Sequence, residues 1–283
     1  MRYPIDTLAT GYGLIEGPRV DDDGNLYFSD VVNGGVRRLD PDGAIHLVVP
    51  RRRGVGGIAL HADGGLVISG RDISHVVVAG SAIETRTVFR PDAPGLNDLF
   101  TDDQGRVYCG TIRSDPFSDD GGHERTPGEC YRIELDGTAR QLYGGVTLTN
   151  GIGLSPDGRR LYHADTMAHH VICHDLVDDE PVNRRALGHD PGFFPDGLAV
   201  DEAGTVWVAD YGGGRVRGLS PDGGEVGSIP VPATAVTSLC FGGADRRDLY
   251  VVSADNTDDP ARAGSIFRTR VDVPGLPVAP ARV

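Results

Sequence analysis

The sequence predicts an all-β protein, a six-bladed β-propeller, and three observations carry that expectation. A unit of acidic turn, Gly and alternating strand recurs along the chain, no stretch sustains helical periodicity, and Gly and Pro are abundant, at 41 and 19 of 283 residues. The recurring segments are DDDGNLYFSD from Asp21, HADGGLVISG from His61, DDQGRVYCGT from Asp102, SPDGRRLYHAD from Ser155 and DEAGTVWVAD from Asp201. Their shared Gly falls at Gly24, Gly64, Gly105, Gly158 and Gly204, spaced by 40, 41, 53 and 46 residues. A degenerate sixth copy, ADRRDLYVVSAD, begins at Ala244.

Within each unit further strand-like runs follow, such as GVRRLD from Gly35 and AIHLVV from Ala44, with the turn Pro41-Asp42-Gly43 between them. Four short strands per unit is the pattern of a propeller blade, and six such units close a ring that spans residues 1–283 as a single domain. The run Asp6 to Gly11 precedes the first unit and is placed to supply the outer strand of the last blade, which would remove a sheet edge. The Pro-rich tail after Val271 lacks alternation and reads as a surface strap. The third interval is stretched by Gly110 to Cys130, read either as a lid over one face or as a plain surface loop.

Composition excludes several functions. With 27 basic and 41 acidic residues the net charge is -14, so the surface repels nucleic acid and anionic membrane, and neither is expected as a partner. The chain has no Lys, which removes Schiff-base and P-loop chemistry. The N-terminal residues show no basic segment leading into an apolar run, so a cytoplasmic protein, monomeric or weakly self-associating, is expected. Cys109, Cys130, Cys173 and Cys240 are far apart, three of them inside apolar runs, and are expected to be buried free thiols.

The repeat has a phase, and the phase concentrates oxygen ligands. Eight residues before each shared Gly, where the chain enters the strand nearest the ring axis, stand Glu16, Gly56, Asn97, Asn150 and Asp196, and the sixth unit places Thr237 or Ser238 there. Side chains far apart in sequence meet at the axis of a propeller. Two carboxylates and two carboxamides brought together without His or thiolate suit one hard divalent cation, Ca²⁺ first and then Mn²⁺ or Mg²⁺, with Zn²⁺ a further option outside a tetrahedral structural site. Taken singly, Asn150-Gly151, Asp196-Gly197 and Glu16-Gly17-Pro18 read as turns; four oxygen-bearing residues in one phase favour the ion.

Other residues carry weaker signals. His123, His169 and His170 form no ligand spacing and read as surface or strand-end residues. Ser29 and Ser253 lack a nucleophile-elbow context. Arg51, Arg52 and Arg53 enter the second blade on the face of the ligand set, where they either grip a substrate carboxylate or phosphate or form a solvated charge run.

The anchors IEGPRVDDDGNLYFSD at Ile15, LNDLFTDDQGRVYCGT at Leu96, TNGIGLSPDG at Thr149, FPDGLAVDEAGTVWVADYGGGRV at Phe194 and TSLCFGGADRRDLYVVSA at Thr237 together resemble the senescence-marker-protein, gluconolactonase and luciferin-regenerating-enzyme family over essentially the whole chain. The resemblance implies a six-bladed propeller with one divalent metal in the channel. It implies that Glu16, Asn150 and Asp196 ligate the metal, with Asn97 a fourth or water-mediated ligand that also faces substrate. Asp98 would be a carboxylate behind the ligands or on the substrate side, and Asp115 a substrate-binding acid in the long loop. One departure stands out: where sugar-lactonase relatives often carry Arg, two residues before Asn97, this chain has Gly95. Arg113, or the run Arg51 to Arg53, is placed to compensate as a substrate-binding cation.

The expected activity is a metal-dependent hydrolase that opens a small lactone to its hydroxy acid. Asp196, or alternatively Asp98, would act as the base toward the attacking water. Two rivals are a phosphotriesterase or fluorophosphonate hydrolase on the same metal, and a non-catalytic binding module. The binding module predicts a channel plugged by large apolar side chains, and the enzyme an open one.

Overall fold

The computed structural model describes residues 3–80, 82–114 and 125–283. Asp115 and His123, and with them most of the stretch between the second and third strands of the third blade, lie outside the described residues.

Each repeat becomes a sheet because its acidic turn closes a hairpin. In the first unit the Asp21 carboxylate accepts the N–H groups of Asp23 at 3.1 Å and Asn25 at 2.8 Å, and Gly24 turns the chain at φ +82°. Asp102 and Asp201 repeat this arrangement on Gln104 and Ala203. The result is six four-stranded antiparallel sheets. Their innermost strands are Ile15–Val20, Ile58–Leu60, Gly95–Thr101, Thr149–Leu154, Pro195–Val200 and Val236–Gly242, one for each of blades 1 to 6. The sixth blade is completed by Ile5–Tyr12, which pairs antiparallel with Gly264–Arg270 from Ile5 opposite Thr269 to Tyr12 opposite Gly264. The expected closing strand is therefore present, one residue longer at each end than Asp6 to Gly11.

The core is divided among the blade interfaces. Leu26, Phe28 and Cys240 pack between blades 6 and 1, Ile58 and Val36 between blades 1 and 2, and Leu99 and Cys109 between blades 2 and 3. Tyr108 and Cys130 fill the next interface, Cys173 and Phe193 the one between blades 4 and 5, and Trp207 and Phe267 the one between blades 5 and 6. All four cysteines are buried free thiols within these interfaces.

Two expectations change. The segment Gly110 to Cys130 is not all loop: the second strand of blade 3 runs Val107–Ile112 and the third begins at Gly128 (Gly128–Ile133), because Gly110 pairs with Cys130 in the ladder. The tail is more than a surface strap. It crosses the far side of the ring, where Gly275 donates to Arg246 O at 2.8 Å, Leu276 to Val200 O at 2.9 Å and Ala281 to Leu60 O at 2.8 Å, and Ala281 is fully buried.

Candidate metal centre

In four of the six blades the entry to the inner strand is held by a carboxylate at or just past the end of the neighbouring strand. In blade 1, Asp30 accepts Gly13 N–H at 3.2 Å; in blade 4, Asp165 accepts those of Thr147 at 2.8 Å and Leu148 at 2.9 Å. In blade 5, Asp210 accepts Phe194 N–H at 3.4 Å, and in blade 6 Asp255 takes those of Thr234 and Ala235 at 3.1 and 2.8 Å. These latches sit two or three residues before Glu16, Asn150, Asp196 and Thr237. They are the final Asp of four repeats (FSD, HAD, VAD and SAD), so their recurrence is visible in the sequence.

Around these inner-strand entrances the ladder breaks. Register shifts fall between Glu16 and Arg19, Leu96 and Leu99, Thr149 and Ile152, Pro195 and Leu198, and Val236 and Ser238. A bulge re-aims side chains and strengthens local twist, so consecutive residues of one strand both turn toward the channel. The strand entrances carry Glu16, Asn97, Asn150 and Asp196 into one cavity of about 910 Å³. Asp98, one residue on, lines a second chamber of about 880 Å³ on the tail side instead, together with Gly17, Arg19 and Ser238. The sixth entrance is Thr237, whose hydroxyl is taken by Ile15 O at 2.5 Å.

The polar groups of the first cavity are linked blade to blade. Asn97 Nδ2 donates to Asn150 Oδ1 at 2.7 Å and Thr149 O at 2.9 Å; Asn150 Nδ2 donates to Thr166 Oγ1 at 3.0 Å; Thr166 Oγ1 donates to Pro195 O at 2.7 Å. Asn97 thus spends its N–H groups on Thr149 O and Asn150 Oδ1 and Asn150 donates to Thr166, which leaves Asn97 Oδ1 and a second lone pair of Asn150 Oδ1 as acceptors for the cavity. Gly56 makes room for this: a Cβ there would stand 2.1 Å from Asn97 Oδ1.

The residues present fit a hard cation. Asp196 Oδ1 is buried with no hydrogen-bond partner among the described residues, an arrangement that is costly for a carboxylate in a low-dielectric site. Burial pushes the carboxyl of Glu16 well above its ordinary range, with Asp196 and then Asp98 adding to the effect. Burial likewise raises Asp196, followed by the charge of Asp98. Asp98 is pushed up to about 6 by burial, against the opposing pull of Arg19 and the Leu99 N–H. Three buried neighbouring carboxyls oppose one another's ionisation, and a cation held among them would relieve that cost. Among the described residues no group of three or more His, Cys, Asp or Glu is placed to hold a metal, so an ion here must draw on the carboxamides of Asn97 and Asn150 beside Glu16 and Asp196. That donor set is all oxygen.

The remaining candidates lie elsewhere. Arg113 does not line the cavity; its Nε is held by Glu129 at 2.8 and 3.0 Å and its Nη1 by Asp92 O at 3.0 Å. His169 rests on Phe193 O at 3.0 Å and His170 opens a strand, as strand-end residues do. Of the arginine run, Arg52 is paired with Asp72 at 2.8 Å, and Arg53 lines the cavity. Arg71, also lining it, was not singled out by any motif; its only sequence signal is its place after the Gly70 that ends the second repeat.

Fold and site together define a propeller with an oxygen-lined, carboxylate-bearing pocket on its axis. The SMP-30/Gluconolactonase/LRE-like region matches residues 14–255, and the chain belongs to that family. It is 34% identical over 265 residues to a 6-deoxy-6-sulfogluconolactonase of Pseudomonas putida, with 88% of each chain covered. It is 33% identical over 288 residues to a pentonolactonase of Haloferax volcanii, covering 95% of this chain and 94% of that one. The structure of regucalcin from Agrobacterium tumefaciens superposes with a TM-score of 0.84 at 21% identity, over 100% of this chain and 98% of that one, which shows the shared fold.

Proposed function

We propose that the protein is a lactonase that binds one divalent cation, Ca²⁺ before Mn²⁺ or Mg²⁺, and opens a small lactone to its hydroxy acid. The observation that carries this reading is the unpartnered, buried Asp196 Oδ1 at the floor of an open cavity shared with Glu16, Asn97 and Asn150. A plugged channel was the requirement of the binding-module alternative, and the cavity stands open. The relatives named above as lactonases, and the regucalcin named as a calcium-binding protein, support the same assignment.

Glu16, Asn97, Asn150 and Asp196 would hold the ion, which when bound polarises an ester carbonyl and the water beside it. The chain's own part is positioning and proton transfer. Asp196 accepts a proton as the water oxygen bonds to the carbonyl carbon, and returns it to the ring oxygen as the carbon–oxygen bond of the ring breaks. Asp196 Oδ1, buried without a hydrogen-bond partner among the described residues, is the oxygen available to take and return that proton. Asn97 and Asn150, tied to the frame by their N–H groups, keep their acceptors fixed without reorganisation.

Specificity follows from the walls. Pro94, Leu96, Ile112, Leu148, Met167 and Phe194 line the cavity, and Gly95 offers no side-chain donor. Without a side-chain donor at Gly95 a ring rich in hydroxyls finds one partner fewer on that wall, so a smaller or less hydroxylated lactone is the favoured substrate. The test compares kcat/KM for a hexonolactone, a pentonolactone and an unsubstituted aliphatic lactone on metal-loaded and chelator-treated protein. Metal-dependent turnover, lowest for the hexonolactone, is expected. Turnover indifferent to complete metal removal would overturn the metal assignment, and a clear hexonolactone preference would overturn the role given to Gly95.

A further inference from the structure

Two arginines at the mouth of the cavity have no partner among the described residues. Arg53 and Arg71 both line it and both are exposed, and neither guanidinium makes a hydrogen bond or ion pair among the described residues. Their neighbours are committed: Asp72, next to Arg71, is already claimed by Arg52 at 2.8 Å and Arg90 at 2.6 Å, and Arg113 is held by Glu129. The backbone brings the pair together. Gly70 packs so closely on Gly54 that a Cβ would lie 3.2 Å from Gly54 O, which sets the Arg53–Gly54 and Gly70–Arg71 segments side by side. Gly70 O also accepts Leu96 N–H at 2.7 Å, tying Arg71 to the strand that presents Asn97.

The charge arithmetic of the cavity points the same way. Among the described residues the acidic side chains lining it are Glu16 and Asp196, which the metal assignment neutralises, and two cations unpaired there then remain in a protein of net charge -14. A guanidinium offers a fork of N–H donors matched to two oxygens of one group, and two side by side match a carboxylate, sulfonate or phosphate. They stand beside Gly95, on the wall that otherwise lacks donors.

We propose that Arg53 and Arg71 clamp an oxyanion carried by the substrate, so that the lactone taken by this pocket is an anionic one. The inference rests on the lactonase reading for the nature of the ring, and the clamp itself is tested apart from it. The protein is assayed on pairs of lactones that share a ring and differ only in a terminal hydroxymethyl group against a carboxylate, a sulfonate or a phosphate. Wild type is expected to favour the anionic member by about 100-fold at low ionic strength, at about tenfold for each of two charge-assisted contacts. Added salt should shrink that preference. The double variant Arg53→Gln/Arg71→Gln should lose roughly 100-fold in kcat/KM on the anionic lactone and less than about threefold on the neutral one.

Calorimetric binding of tetrahydrofuran-2-carboxylate against its neutral alcohol, neither of which contains an ester, isolates the clamp from the chemistry. Arginine-dependent binding of the carboxylate with no lactone hydrolysed would keep the clamp and overturn the lactonase reading. Lactone turnover with no anionic preference, or equal losses on both members of a pair, would overturn the clamp and leave the lactonase reading standing.

Discussion

Replacing Gly56 by Ala tests whether the pocket depends on the one ring position that carries no side chain. The added Cβ would lie 2.1 Å from Asn97 Oδ1, and the Asn97 C and Cα at 3.0 and 3.1 Å block a simple slide of the backbone. An ordinary carbon–oxygen contact is more than about 1 Å longer, so the carboxamide has to swing. Its other end donates to Asn150 Oδ1 and Thr149 O, and both bonds break when it does. Two net hydrogen bonds at about 1 kcal/mol each, with overpacking of about 1–3 kcal/mol, give a loss of about 3–5 kcal/mol in stability. A displacement of about 1 Å at the site costs kcat/KM on the order of 100-fold. Urea unfolding reads the first, and lactone turnover with calorimetric Ca²⁺ titration the second. Gly144→Ala, whose Cβ would meet nothing closer than 3.9 Å, is the control. A Gly56→Ala protein with wild-type turnover and ion affinity would refute the claim that Asn97 is held in place by the space beside it.

Asp196→Asn removes a charge and the proposed base together and should lower kcat/KM by about 10³-fold or more while the protein remains folded; near-normal turnover with metal bound would show that Asp196 has been misassigned. His163 bridges Tyr143 Oη at 2.9 Å and Thr149 Oγ1 at 2.6 Å, and burial first, with Arg184 and His174 adding, lowers it from 6.5 to about 3. Because the folded value lies below the unfolded one, its contribution is complete above 6.5 and is lost as pH falls toward 3. Between about pH 7 and pH 5 wild type should therefore lose about 2 kcal/mol more stability than His163→Gln, measured by urea unfolding at the two values; equal losses would show that His163 is not held neutral.

The ring was legible because its turns are written in residues with local physical constraints, an Asp that caps its own turn and a Gly at positive φ. That Glu16, Asn97, Asn150 and Asp196 would meet in one place was legible because they share a phase with those turns. What phase counting misses is direction. Asn97 and Asp98 are neighbours, yet the bulge between Leu96 and Leu99 sends one to each chamber. The arginine run had the same difficulty, since Arg52 and Arg53 differ only in which neighbour their long side chains meet. Arg71 was invisible because nothing local requires it. The reach of the tail to Leu60 and the latching Asp residues depend on contacts between distant segments, which no single repeat displays.

The ring has a seam, and the seam decides how it comes apart. Each of blades 1 to 5 is a contiguous stretch of chain, whereas the sixth is stapled by Ile5–Tyr12 against Gly264–Arg270. Closing that circuit costs only about 2 kcal/mol more loop entropy than closing one blade, so it is thermodynamically inexpensive, but it must wait for the far end of the chain. If the staple peels, blade 1 is left against blade 6 by side-chain packing and the Thr237 to Ile15 hydrogen bond. Glu16 stands on one side of that joint and Asp196 on the other, beyond blade 6. Breathing of the staple would therefore loosen the joint between the two carboxylates of the pocket while the other five blades are still folded, and exchange of the Ile5–Tyr12 amides would then report on the integrity of the site.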